Sequence, residues 1–263
     1  MTRPTQQPTN GINGPLRDAI GRLTGVETLL IASDYDGVLA PIVNDPAAAF
    51  PLPSAIDALQ ELATLPRTSI ALLSGRALVD LARLSGLGGE ALLVGTHGVE
   101  FDDGFAIPPE AAALRAQLLD ELRPMVTAVP GAALEEKIAS VAVHVRNADP
   151  DAGEKLLGGV ADGPGSWPGV HSTAGKKVLE LAVVKTSKGT ALDVLRDRTG
   201  ADAVLFAGDD VTDEKAFAVL RPGDVGIKVG PGETAAEYRV DDPEQIVGVF
   251  ALLAEERRLH VGT

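Results

Sequence analysis

Cysteine is missing from all 263 residues of this sequence. Disulfides, thiolate nucleophiles and metal sites built on cysteine are therefore excluded. The sequence also lacks any apolar run near the roughly 18 residues that a membrane-spanning helix needs. Residues 1–13 are polar and lack the apolar segment of a signal peptide, so we predict a flexible tail on a cytoplasmic protein.

Basic residues are also scarce. Lys and Arg total 23 against 37 Asp and Glu, which gives a formal net charge of −14 and a pI near 4.7. This balance argues against binding to nucleic acid or to an anionic membrane, because either would need a basic surface. An anionic substrate would have to meet local positive charge, supplied by a metal ion or by a few placed Lys and Arg residues.

The most informative stretch is an apolar segment, residues 29–33, that runs into Asp34, Asp36 and Gly37. Alternate residues of a strand point to the same side, so the two carboxylates can converge. Because two close like charges repel, one of them should take up a proton or both should meet a cation. An isolated Asp-x-Asp-Gly is equally typical of a simple strand-end turn, and the rest of the chain has to decide.

Strand and helix patterns alternate on both sides of a central interruption. Buried strands are predicted at 29–33, 69–73 and 91–94, and again at 203–207 and 224–229, with helices between them and a last helix over 243–258. Ser54 is the predicted cap of the helix that follows it. This rhythm predicts an α/β fold with a Rossmann-like parallel-sheet core formed by residues 14–106 and 184–263.

The interruption at 107–183 has a different pattern. It predicts a long helix over 109–129, which Pro124 ends or kinks, and a second helix over 151–161. Segments 133–138 and 141–146 are too close in sequence for anything but an antiparallel hairpin, and two more short strands follow at 169–173 and 177–183. We predict an inserted α+β cap domain.

Polar groups follow the predicted core strands. Asp209, Asp210 and Asp213 come after one strand, Ser74, Gly75 and Arg76 after another, and His97 after a third, while Lys188 opens a helix. With Asp34 and Asp36, these aspartates make five carboxylates that cannot stay close together without a positive charge to neutralise them. Mg²⁺ is the best counter-ion for such hard oxygen ligands. Lys188 and the Ser74-Gly75 turn would bind phosphate oxygens, which predicts phosphoryl transfer with Asp34 or Asp36 as a covalent nucleophile.

Each of these residues also has a structural interpretation. Ser74 alone is typical of a helix cap, Lys188 of a solvated first turn and His97 of a structural side chain. The acidic run from Asp209 to Glu214 is typical of a helix start. Their joint occurrence, each at a strand end or a helix start, favours a site.

The four core segments resemble the motifs of the haloacid dehalogenase superfamily phosphatases. The closer resemblance is to the trehalose-6-phosphate phosphatase family, through the segments 34–41 and 208–214 of the core and Glu135-Glu136-Lys137 and His144-Val145-Arg146 of the inserted domain. The stretches 95–100 and 177–180 fit as well. The resemblance spans about residues 27–250.

The resemblance implies a role for each matching residue. Asp34 would be the nucleophile and Asp36 the acid and base. Mg²⁺ would lie on Asp34, on the backbone carbonyl of Asp36 and on Asp209, with Asp210 or Asp213 nearby. Ser74, Gly75 and Lys188 would hold the phosphoryl group. The substrate-binding residues would be Glu135, Lys137 and Glu180, which bind sugar hydroxyls, together with Arg76, His97, His144 and Arg146.

The resemblance therefore implies a Mg²⁺-dependent phosphatase that releases trehalose from trehalose 6-phosphate, the last step of trehalose biosynthesis. The alternatives are a sibling phosphatase acting on sucrose phosphate or a glucosylglycerate-type phosphate, and a non-catalytic sugar-phosphate-binding module. The intact pair Asp34 and Asp36 argues against the last. We expect no nucleic-acid or membrane partner, and a monomer, because the sequence has no coiled-coil pattern.

Overall fold

The computed structural model describes residues 12–43, 45–87, 89–102, 104 and 108–261. Most of the predicted tail, residues 1–11, therefore lies outside the described residues. Asn13 belongs to the first helix rather than to a tail, because its side-chain oxygen accepts a hydrogen bond from the Leu16 backbone and caps that helix.

The chain divides into two compact units. The first unit is Met1–Asp103 together with Thr186–Thr263, and the second unit is Gly104–Lys185. The sequence predicts the inserted domain at 107–183, so the second unit starts three residues earlier and ends two residues later than that prediction.

A seven-stranded sheet organises the described part of the first unit. Its strands are β1 (Leu29–Ser33), β2 (Thr68–Leu73), β3 (Leu92–Gly95), β4 (Glu100–Phe101), β9 (Ala203–Gly208), β10 (Val225–Val229) and β11 (Tyr238–Val240). They lie in the order β11-β10-β9-β1-β2-β3-β4, and every neighbouring pair is parallel except β3 and β4. The predicted α/β class and its parallel sheet are confirmed.

Helices connect these strands. They are α1 (Gly14–Thr24), α2 (Pro53–Ala63), α3 (Leu78–Ser85), α6 (Lys188–Thr199), α7 (Glu214–Phe217) and α8 (Pro243–Val261). The predicted cap at Ser54 is wrong. The helix begins one residue before Ser54, at Pro53, so the N-cap position falls on Leu52, whose apolar side chain makes no cap bond. Proline suits a first helical position, where its missing N–H would be unsatisfied in any case.

The centre of this sheet is apolar and fully enclosed. All five residues of β1 are buried, as expected for a strand with parallel neighbours on both sides. Arg257 of α8 is also fully buried, and its guanidinium donates to the backbone carbonyls of residues 24, 26, 27 and 67 and to the Thr68 hydroxyl. It ties the start of β1 and β2 to the last helix.

A four-stranded antiparallel sheet forms the described part of the second unit. Its strands are β5 (Ala133–Glu136), β6 (Ser140–His144), β7 (His171–Gly175) and β8 (Val178–Ala182), in the order β5-β6-β8-β7, and its helices are α4 (Pro109–Thr127) and α5 (Pro150–Asp162). Pro124 does not end α4, which continues for three more residues.

One face of this sheet is apolar and the other is polar. Val141, Val143, Leu179 and Leu181 belong to the same buried cluster as the helix residues Leu118, Leu122 and Val160. Because strand side chains alternate, the opposite face carries Glu135, Ser140, His144, Thr173 and Glu180. We call this the polar face. Among the described residues, no helix combines the length and apolarity needed to cross a bilayer.

Candidate active site

Two central strands deliver carboxylates to the same edge of the first sheet. The chain moves from β1 through β2 to β3 on one side and from β9 through β10 to β11 on the other, so its direction reverses between β1 and β9. Such a switch point opens a crevice beyond the carboxyl ends of the strands. Asp34 and Asp36 follow β1, and Asp209 and Asp210 follow β9.

A cavity of about 540 Å³ lies at this edge. It is lined by Asp34, Asp36, Ile42, Val43, Pro46, Ala49, Gly75, Arg76, His97, Lys188, Asp209, Asp210 and Thr212. Eight residues predicted from the sequence are among them. The other two predicted core residues, Ser74 and Asp213, are fully buried and do not line the cavity.

Lys188 is a buried cation that lines this cavity. Its Nζ atom lies 2.7 Å from Asp34 Oδ2 and 2.7 Å from Asp213 Oδ1, with only 1% of the side chain exposed. The residue opens α6 directly after Ser187, whose hydroxyl forms a capping box with Thr190. A cation is unfavourable at a helix N-terminus, so the two carboxylates have to compensate. Burial alone would lower the pKa of Lys188, but Asp34 and Asp213 outweigh it and raise that pKa.

Asp213 stabilises the loop after β9 through hydrogen bonds to its backbone. While Oδ1 accepts from Lys188, Oδ2 accepts hydrogen bonds from the backbone N–H groups of Asp209 and Asp210, each at 3.0 Å. These bonds engage both of its oxygens. The two preceding aspartates are thereby held in place at the rim of the cavity.

Carboxylate oxygens of Asp34, Asp209 and Asp213 lie within 4.8 Å of one another. Burial raises the pKa of Asp34 although Lys188 opposes this, and burial with repulsion from Asp213 and Asp210 raises the pKa of Asp209 to about 6. Three carboxylates share one ammonium here, that of Lys188, so the ionised group carries net negative charge. Hard oxygen donors and excess negative charge fit Mg²⁺.

The approach of Asp209 to the segment that follows β1 depends on Gly37. Its φ angle is +78°, and a Cβ atom at this position would lie 2.0 Å from Asp209 Oδ2. Any other residue would be strained in its backbone and would displace the Asp209 carboxylate. The glycine after Asp36 thus permits β1 and β9 to bring their carboxylates together.

Arg76 binds Asp36 rather than pointing freely into the cavity. Its Nε and Nη2 atoms donate to the two carboxylate oxygens of Asp36, each at 2.7 Å, and its Nη1 donates to the Pro46 carbonyl at 2.7 Å. The guanidinium also lies 5.5 Å from the centre of the Tyr35 ring. All three guanidinium nitrogens are therefore engaged within the protein.

The turns after β2 and β3 pack closely against each other. His97 has a φ angle of +54°, and its backbone N–H donates to the Ser74 carbonyl at 2.9 Å. A Cβ atom on Gly75 would lie 2.5 Å from the His97 ring, so the imidazole covers this glycine. The Ser74 hydroxyl accepts from the Arg76 backbone N–H at 3.1 Å, which stabilises its own turn.

Sequence reasoning missed Lys228. This lysine is 4% exposed, and its ammonium donates to the backbone carbonyl of Asp209. It pairs with Gly208 in the neighbouring strand, which places its side chain beside the acidic loop. A lysine inside the otherwise apolar strand Val225–Val229 was the available signal, because lysine is rarely buried without a partner.

The predicted residues of the second unit lie on or near its polar face. His144 Nε2 lies 2.8 Å from Glu135 Oε2, and Lys137 Nζ donates to Glu180 Oε1 at 3.1 Å. Glu135 and Glu180 both pair with Ala142 of the strand between them. Arg146 lies after the end of β6 and is exposed.

Comparisons with known proteins agree with one another. The trehalose-phosphatase family model matches residues 32–244. The chain is 36% identical to the trehalose-phosphate phosphatase of Mycobacterium marinum over 90% of its own length and 65% of that protein, and 38% identical to the enzyme of Mycobacterium tuberculosis H37Rv over 86% and 61%. It thus spans about two thirds or less of the length of these relatives.

A solved structure agrees with these sequence matches. The C-terminal domain of the Candida albicans trehalose-6-phosphate phosphatase superimposes with a TM-score of 0.67 at 26% identity, covering 93% of this chain and 98% of that one. The similarity therefore includes the inserted unit as well as the sheet with the cavity.

Proposed function

We infer the function from one premise: the chain belongs to the trehalose-phosphatase family. We propose that it is a phosphatase that hydrolyses trehalose 6-phosphate to trehalose and phosphate. The observation that carries this proposal is the group formed by buried Asp34, Lys188 and Asp213 with half-buried Asp209, at the switch point of a parallel sheet. Such a group can hold a phosphoryl group between a nucleophile and positive charge.

In the first step, a carboxylate oxygen of Asp34 attacks phosphorus. The new Asp34 O–P bond forms while the bond from phosphorus to the sugar oxygen breaks, and its electron pair goes to that oxygen. The carboxyl group of Asp36 donates a proton to the departing oxygen and becomes a carboxylate. Trehalose leaves, and Asp34 carries the phosphoryl group.

In the second step, a water molecule attacks the phosphoryl group on Asp34. Asp36 takes a proton from this water, the Asp34 O–P bond breaks, and phosphate leaves. Both aspartates return to their starting states, so all atoms and protons balance. Lys188 contacts Asp34 at 2.7 Å and adds fixed positive charge beside the phosphoryl oxygens.

A divalent cation would complete the charge balance of the site. When bound, Mg²⁺ supplies neutralisation of the phosphoryl oxygens. Asp34, Asp209 and the backbone carbonyl of Asp36 are the groups that would hold it. Asp213 would position these groups rather than hold the ion, because its two oxygens already accept hydrogen bonds from Lys188 and from the backbone of Asp209 and Asp210.

The polar face of the second unit supplies groups that suit a sugar. Glu135, Lys137 and Glu180 offer charged hydrogen-bond partners, which bind hydroxyl groups strongly and with direction. We propose that they recognise trehalose, with His144 and Arg146 beside them. His97 and Arg76 line the cavity of the first unit, where they limit the space around the leaving sugar oxygen.

Phosphate release from a panel of sugar phosphates tests the proposal. The panel contains trehalose 6-phosphate, sucrose 6-phosphate and glucose 6-phosphate, each with Mg²⁺ and with EDTA. We expect preferential, EDTA-sensitive release from trehalose 6-phosphate. Preference for another sugar phosphate would assign a sibling substrate, and no release from any compound would favour the non-catalytic binding module. The monomeric state and the cytoplasmic location stay predictions, and gel filtration over a range of concentrations tests the first.

A further inference from the structure

Ser140 makes a buried contact that neither the sequence motifs nor the proposed mechanism uses. It opens β6 and is 5% exposed. Its hydroxyl donates to Glu180 Oε1 at 2.7 Å, and the same oxygen accepts from Lys137 Nζ at 3.1 Å. One carboxylate oxygen of a proposed sugar-binding residue is therefore held by two donors.

The register of the sheet explains how the donors reach that oxygen. Ser140 pairs with Ala182 and Glu180 with Ala142, so the Ser140 and Glu180 side chains share a face and are diagonal neighbours. The backbone N–H of Lys137 donates to the Ser140 carbonyl at 3.0 Å and closes the hairpin. The hairpin thus presents a hydroxyl and an ammonium to Glu180 together.

The two donors differ in how firmly they hold the carboxylate. The Lys137 and Glu180 side chains are 30% and 36% exposed, and ion pairs in such surroundings contribute little because water and salt screen them. Ser140 is buried, and its short side chain has little rotamer freedom to lose when the hydrogen bond forms. A hydrogen bond to an ionised acceptor is also stronger than one between neutral groups. Ser140 is therefore the firmer of the two.

We propose that Ser140 is a positioning residue for Glu180 and, through it, for the binding of substrate hydroxyl groups. This inference rests on the proposed function. A free glutamate side chain loses rotamer entropy when it is immobilised. Because Ser140 fixes Glu180 before the substrate arrives, less of this cost falls on binding.

The test compares two substrates of the Ser140→Ala protein. For trehalose 6-phosphate we expect KM to rise about five- to tenfold, as expected for the loss of one hydrogen bond. For p-nitrophenyl phosphate, which has no sugar, kcat/KM should stay within about twofold of the wild type, since that change is within the normal effect of a neutral substitution. The matched control is Ser172→Ala, which removes a hydroxyl from the opposite face of the same sheet, where it donates to the Gly165 carbonyl at 2.7 Å.

A double-mutant cycle separates positioning from a general structural role. In a Glu180→Ala background, Ser140→Ala should raise KM no further, because the group it positions is absent. Ser140→Thr keeps the hydroxyl and should keep KM near the wild-type value. An additive effect in the cycle, equal losses on both substrates, or a Ser140→Thr loss as large as that of Ser140→Ala would each overturn the inference.

Failure of the proposed function gives a different result. If the wild-type protein releases phosphate from neither substrate, the proposed function and this inference fall together. If it hydrolyses p-nitrophenyl phosphate and trehalose 6-phosphate but Ser140→Ala changes neither KM, only the inference is overturned.

Discussion

The charged group around Lys188 in the first unit and the ion pairs on the polar face of the second unit lie in opposite surroundings. In the first unit, the side chains of Lys188, Asp34 and Asp213 are 1%, 7% and 0% exposed. In the second unit, the pair of Lys137 and Glu180 is 30% and 36% exposed, and the pair of His144 and Glu135 is 41% and 51% exposed. The same residue types thus serve two purposes.

Burial decides what each group can do. A charge removed from water interacts strongly with its neighbours and is costly to leave unpaired, so the first unit suits the stabilisation of reacting charge. Charges that water still reaches interact weakly and can exchange partners, so the polar face suits the recognition of neutral hydroxyl groups. We therefore expect damage in the first unit to affect every substrate and damage on the polar face to affect only the sugar.

Asp34→Asn should give the largest effect. The amide cannot act as the nucleophile, so turnover of both trehalose 6-phosphate and p-nitrophenyl phosphate should fall more than about a thousandfold. The unfolding midpoint should change little, because Lys188 keeps its ion pair with Asp213 and the amide oxygen can still accept from Lys188. Asp80→Asn, an exposed site on α3, is the control. Substantial activity of Asp34→Asn would contradict the nucleophile assignment.

Removal of the metal ion should have the next-largest effect on turnover. EDTA should abolish turnover of both substrates, and added Mg²⁺ should restore it. Because a ligand that binds only the folded state stabilises it, Mg²⁺ at about 100 times its dissociation constant should add about 2.7 kcal/mol to the free energy of unfolding. Calorimetry with and without Mg²⁺ measures this change. Undiminished turnover in EDTA would contradict the proposed dependence on Mg²⁺.

Lys188→Met should reduce activity and stability together. The substitution leaves Asp34 and Asp213 buried without their cation, so we expect a loss of about 3–5 kcal/mol in the free energy of unfolding without Mg²⁺. Turnover of both substrates should fall about a hundredfold, as when one stabilising donor is removed. Denaturant titrations and steady-state kinetics measure the two losses.

The control for this substitution is Lys215→Met, at an exposed lysine of α7. It should change neither quantity appreciably. A Lys188→Met protein as stable as the wild type would show that the buried charges are neutralised in another way.

Glu135→Ala should have the smallest effect and should separate the substrates. With one hydroxyl-binding group removed, KM for trehalose 6-phosphate should rise about tenfold, while p-nitrophenyl phosphate should be hydrolysed as before. Glu136→Ala is the matched control, because Glu136 is the next residue of the same strand and instead pairs with Arg123 and Arg115. Equal losses of activity on both substrates would contradict the proposal that the polar face of the second unit acts only on the sugar.

Much of the first unit follows from local pattern. Each core strand is an apolar segment followed by polar or small residues, and parallel strands bring such ends to one edge. The sequence therefore already implied that Asp34 and Asp209 face the same crevice. The short strands β4 and β11 and the true start of α2 at Pro53 escaped prediction, because two- and three-residue strands and the choice between adjacent cap positions leave little pattern.

The specific partners of the charged residues could not be predicted. Arg76 is 40 residues from Asp36, Lys188 is 25 residues from Asp213, and Ser140 is 40 residues from Glu180. No periodicity connects such positions. The partner of Lys228 could not be predicted for the same reason, because it is the backbone of Asp209, 19 residues away.

The sequence by itself determined the fold class, the order of the longer helices and strands and which residues stand at the ends of the core strands, because hydrophobic period and turn chemistry act over a few neighbouring residues. Only the tertiary structure decided that Arg76 binds Asp36, that Lys188 lies between two buried aspartates and that Ser140 holds Glu180. These contacts depend on strand register and on close approaches such as that of Gly37 to Asp209, which arise only when distant segments pack together.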